Sequence, residues 1–140
     1  MFQGKRLVAL AAVVGFGIAM PGIAWAQENL VGADVYNVSC AVCHGSSGQG
    51  NGEFADVLTV KPADLTKLSA NNDGVFPYLR VFQTIDGRTT IRAHGPAVMP
   101  IWGDSFAAGI GETAGPFGRE LLIRAKIVAL VDYVETLQVE

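Results

Sequence analysis

At 140 residues, half of them apolar and with a net charge of −3, the chain has room for one domain, two at most, and large multidomain machinery is excluded. Residues 1–26 hold 18 of the apolar residues, and the remaining 114 have the composition of an ordinary soluble globular domain. That remainder carries eight Lys and Arg against thirteen Asp and Glu, with no basic run to follow a phosphate backbone, so no nucleic-acid partner is expected.

Lys5 and Arg6 precede an apolar stretch from Leu7 to Met20, followed by Pro21-Gly22 and Ala24-Trp25-Ala26. This is the three-part layout of a secretory signal peptide, with cleavage expected after Ala26 because the peptidase needs small residues on both sides of Trp25. The expected organisation is therefore a signal peptide over residues 1–26 and an exported, periplasmic domain over 27–140. An uncleaved leader is the rival reading, since Leu7 to Ala26 has the length to cross a bilayer, but Pro21 and Gly22 interrupt it. Membrane anchoring follows only in that case. No Cys stands at the cleavage point to carry a lipid.

Beyond the leader, Leu30, Val31, Ala33, Val35, Tyr36 and Val38 recur at helical intervals and predict a short helix running into Cys40. Four glycines between Gly45 and Gly52 predict a loop. Tyr78, Val81, Phe82 and Ile85 form an i, i+3, i+4, i+7 stripe, which predicts a second helix with Pro77 in its first turn and Asp86-Gly87 at its end. Residues 88–118, rich in Gly and holding Pro96, Pro100 and Pro116, show no sustained period and read as long loop. Ile123, Ile127, Leu130, Val134 and Leu137 then predict the strongest helix of the chain. No strand and no internal repeat is evident. So much loop in a small domain implies an organising ligand.

The two cysteines of the chain name that ligand. They fall in Cys40-Ala41-Val42-Cys43-His44, the attachment signature of c-type haem. Each thiol can add across a haem vinyl group, the two-residue insert sets the sulfurs about one turn apart, and His44 faces the iron. A disulfide across so short a loop would stabilise little, and a redox-active pair would need a βαβ setting that is not visible. A zinc site would lack ligands, because His94 is the only other imidazole. For the sixth position of the iron the favoured residue is Met99, the lone methionine after the leader, which sits in a loop before Pro100. His94 is its rival. Arg88 and Trp102 carry N–H donors on the same loop and are candidate partners of the haem propionates, against plainer readings as a solvated Arg and a core Trp.

Taken together, these residues resemble a class I c-type cytochrome of the small bacterial monohaem kind. The match spans nearly all of residues 29–139. Gly32 and Tyr36 are similar to the Gly-x-x-x-aromatic pattern of that family's first helix, and Leu130 and Tyr133 to the apolar-aromatic pair of its last. His44-Gly45-x-x-Gly48-x-Gly50 resembles the loop after the haem motif, and Met99-Pro100 the distal ligand motif. The resemblance implies an all-α fold in which the N- and C-terminal helices cross and helices and loops enclose the haem. It also implies a hydrogen bond from His44 to the carbonyl of Pro62. Two features depart from the pattern: the acidic balance gives no lysine ring for docking, and the segment from Phe106 to Gly118 is longer than expected.

With His44 and Met99 both on the iron, no coordination position is left for substrate, and the expected role is electron transfer rather than catalysis. Three readings follow: a diffusible periplasmic carrier working between a protein donor and a protein acceptor, a cytochrome subunit dedicated to one periplasmic dehydrogenase or respiratory complex, and a haem sensor in which Met99 gives way to a gas.

Overall fold

A computed structural model describes residues 23–88 and 99–139, the first seven of these as backbone only. Most of the leader and His94 lie outside the described residues. Among the described residues five α-helices form the frame: α1 Ile23–Ser39, α2 Ala41–His44, α3 Tyr78–Asp86, α4 Trp102–Ala108 and α5 Gly115–Thr136. Single 3-10 turns at Ala55–Val57, Leu65–Lys67, Ala70–Asn72 and Glu112–Ala114 punctuate the connections, and no strand occurs among the described residues. None of the described helices is long and apolar enough to cross a membrane. The all-α expectation therefore holds. Helix α1 runs through the Ala26–Gln27 bond, so a chain starting at Gln27 would keep Gln27–Ser39 of it.

Helices α1 and α5 form the principal contact, and its chemistry is local to a few residues. Tyr36 of α1 is fully buried, as are Ile127, Leu130 and Val131 of α5, and the rings of Tyr36 and Tyr133 meet at 5.2 Å between centroids. Gly32 is what permits this approach. A Cβ there would run into the carbonyl of Ala129 and lie 2.7 Å from the Cβ of Tyr133, neither of which is a flexible side-chain end. Overpacking of this kind costs about 1–3 kcal/mol. Gly32→Ala is accordingly expected to lower the chemical denaturation midpoint of the haem-loaded protein, and an unchanged midpoint would show that the helices do not need this approach.

The predicted helices over 77–86 and 123–137 are present, but the reading of 88–118 as continuous loop needs correction. Residues 102–108 form α4, held by stacking of Trp102 on Phe106 at 5.8 Å and by Arg119, whose guanidinium donates to the carbonyl of Ala107 at 3.0 Å. Helix α5 already starts at Gly115, with Pro116 in its first turn, where a missing N–H costs nothing. The segment that looked too long for a loop is thus largely helical. At the other end of α5, Gln138 ties the terminus to the 65–69 segment: its amide donates to the carbonyl of Leu65 at 2.7 Å and accepts from the N–H of Ser69 at 2.9 Å.

Candidate functional site

The Cys40–His44 motif folds as a helical turn that prolongs α1. The N–H of Cys40 still donates to the carbonyl of Tyr36 at 2.8 Å, and that of His44 to the carbonyl of Cys40 at 2.9 Å. Cys40 and His44, four residues apart, therefore share one face, and both line the same cleft. Cys40 and Cys43 are not joined in a disulfide; Cys40 is buried and Cys43 half-buried. Burial, with the neighbouring Cys43 adding to it, pushes the Cys40 thiol up to about 12. A thiol–disulfide centre needs an accessible thiolate, so this environment speaks against the redox-pair alternative. Among the described residues no group of three or more His, Cys, Asp or Glu is placed to hold a metal ion.

The imidazole of His44 is oriented from the far side of the glycine loop. Its Nδ1 lies 3.0 Å from the carbonyl oxygen of Ala63. A carbonyl can only accept, so Nδ1 carries the proton and Nε2 is the nitrogen with a lone pair for a metal. The acceptor expected from the family resemblance was Pro62, one residue earlier. The reason for the shift is visible at Gly50, where a Cβ would collide with the carbonyl of Pro62 and lie 3.2 Å from that of Ala63. The Pro62 carbonyl is turned into the glycine loop, and the next one reaches the ring. The loop itself is pinned by Gly50 N–H to His44 carbonyl at 2.8 Å and Leu65 N–H to Gly48 carbonyl at 2.7 Å.

The cleft lies between α1, α3 and α5, has a volume of about 240 Å³ and is partly open to solvent. Leu65, Leu68, Val81, Ile85, Leu130 and Val134 make its apolar wall, and Met99 reaches into it from the chain segment before α4. Met99 is half-buried and packs on the hydrophobic core. Asn71, Asn72, Arg80 and Thr84 form a polar margin. Arg88 and Trp102 do not line the cleft. Arg88 is engaged by Asp86 and Glu120, and Trp102 stacks on Phe106; of the two arginines on or beside α3, it is Arg80 that lies on the cleft. That residue was legible in retrospect, because Arg80 and Thr84 are one turn apart and adjoin the Val81–Ile85 stripe of α3.

Tyr36 closes the back of the cleft. Its hydroxyl donates to the carbonyl of Gly45 at 2.7 Å, linking α1 to the residue after His44, and burial raises its pKa well above the ordinary phenol value. It is a buried neutral donor and not an acid–base group.

These surroundings fit haem c. A flat macrocycle needs apolar walls, attachment sulfurs at one edge, axial donors and a polar margin for its carboxylates; the cleft is lined by Cys40, His44, Met99 and Arg80 with its polar neighbours, and Cys43 follows on the same helical turn. A sequence model of the family described as Cytochrome c matches residues 31–138. Neither a curated protein nor a solved structure gives a match. The family match covers the haem signature, the cleft and the contact between α1 and α5, and the chain accordingly belongs to the cytochrome c family, as a small all-α member of class I whose role is haem-based electron transfer.

Proposed function

We propose that this protein is an exported, periplasmic one-electron carrier that holds one haem c covalently through Cys40 and Cys43, with His44 and Met99 as axial ligands. The observation that carries this reading is that one cleft collects Cys40, an oriented His44 and Met99, three groups far apart in kind and, for Met99, in sequence. When bound, the haem supplies a one-electron iron couple. The chain does the rest: the hydrogen bond from His44 to Ala63 fixes the imidazole plane, and the apolar wall keeps water from the metal. The thioether of Met99, a soft donor, favours the reduced state. Arg80 and the Asn71–Asn72 pair face the margin where carboxylates would emerge and can neutralise them. One electron enters from a donor protein and one leaves to an acceptor, with no atom transferred.

The dedicated-subunit reading draws support from the first turns of α5, where Phe117, Leu121 and Leu122 are 84%, 59% and 48% exposed. Such apolar exposure suits a lasting protein contact. Gel filtration of the native extract separates the two, since a free carrier elutes as a monomer and a subunit with its enzyme. The electron-carrier role itself is tested by titrating the purified protein with a one-electron reductant and then adding carbon monoxide at neutral pH. A single one-electron wave and a reduced spectrum unmoved by the gas are expected. Rapid carbon monoxide binding would favour the gas-sensor alternative.

A further inference from the structure

The chain leaves α3 through Gly87 and Arg88 and enters α4 at Trp102; charge ties the first of these points to α5, and α4 packs directly on that ion pair. Asp86 is 4% exposed, and a carboxylate so placed needs a partner. It accepts from the Nε of Arg88. The two terminal nitrogens of the same guanidinium donate to Glu120 of α5 at 2.7 and 3.3 Å. Helix α4 lies directly on this pair: a Cβ at Gly103 would strike the Asp86 carboxylate and Nε of Arg88, and lie 2.7 Å from its Cδ. Beside it, a Cβ at Gly87 would stand 3.3 Å from the Cα of Ile101. The end of α3, the start of α4 and the outer turn of α5 thus meet at one guanidinium, and α4 begins three residues after Met99.

We propose that Arg88 is a positioning residue for Met99: by joining buried Asp86 to Glu120 under the first turn of α4, it fixes the backbone that holds the Met99 sulfur toward the iron. The proposal rests on the reading of Met99 as sixth ligand. Arg is required because only a planar fork presents donors to two carboxylates on different elements at once; the single ammonium of Lys cannot hold both in this geometry. No member of the network lines the cleft, although Asp86 follows Ile85, which does, so the readout that reports the sulfur itself is the one that decides.

The test compares haem-loaded wild type with Arg88→Lys, Glu120→Gln and Arg119→Ala. The last removes a different bond between α4 and α5, away from Met99. Three quantities are read: helicity, the sulfur-to-iron charge-transfer absorption of the oxidised protein, and the fraction of reduced protein that binds carbon monoxide at a fixed, subsaturating concentration. Arg88→Lys is expected to keep its helicity, lose at least about half of the absorption and bind about ten times more gas, the factor that corresponds to weakening the sulfur contact by 1.4 kcal/mol. Glu120→Gln should move both readouts in the same direction and less far, and Arg119→Ala neither. If Arg88→Lys does not fold, Glu120→Gln decides by itself. Unmoved signals in Arg88→Lys and Glu120→Gln overturn the proposal, as does an equal loss in Arg119→Ala, which would mean general loosening. A wild-type protein without the absorption would instead overturn the Met99 reading, and the proposal with it.

Discussion

Replacing Cys40 and Cys43 together by Ala is expected to yield a chain that keeps no haem through acid-acetone extraction and shows no cooperative thermal transition. The first effect follows from losing both attachment sulfurs. The second follows from the cleft. Leu65, Leu68, Val81 and Met99 line it and are only half-buried by protein. Completing the burial of such a side chain is worth roughly half of the about 1.5–3 kcal/mol assigned to a full one, so the four sum to on the order of 4 kcal/mol. A domain of this size is stable by about 5–15 kcal/mol in all, and the glycine loop after His44 has little apolar content of its own. Circular dichroism of the double variant should report a largely unfolded chain. Retained native helicity with a sharp transition would show that the helices pack without the haem, and retained colour after extraction would remove covalent attachment from the account.

Met99→Ala is expected to have the second largest effect, because it opens the sixth position while leaving the fold in place. Loss of the soft sulfur admits water, whose oxygen favours ferric iron, and the reduction potential falls. Each tenfold change in the preference between oxidation states moves a one-electron couple by about 59 mV. Axial ligation works within a span of about 0.8 V, so a fall on the order of 100 mV is expected by redox titration. The same variant should lose the sulfur-to-iron absorption and bind carbon monoxide when reduced. His94→Ala should do none of these things. Should His94→Ala produce these changes and Met99→Ala leave the spectrum alone, the site is bis-histidine and the high-potential carrier reading fails.

Much of this site was legible in the sequence because its chemistry is compact. Cys40, Cys43 and His44 are contiguous, and the helical turn they form needs no long-range contact to be inferred. Helices α3 and α5 announce themselves by apolar stripes. Helix α4 did not, since its seven residues hold one glycine, are followed by another at Gly109 and are preceded by Pro100; its stability comes from the Trp102–Phe106 stack and from Arg119, twelve residues beyond the carbonyl it caps. Pro116 was read as loop punctuation where it begins α5. Arg88 could not be placed from sequence because Glu120, one of its two partners, lies 32 residues away. The one-residue shift from Pro62 to Ala63 is likewise a tertiary matter, decided by how closely Gly50 lets the 62–63 backbone approach.

Covalent attachment of one haem c is tested most directly by the intact mass of the wild-type protein after acid-acetone extraction. A single species heavier than its bare polypeptide by one haem is expected. A mass equal to the bare polypeptide would contradict it.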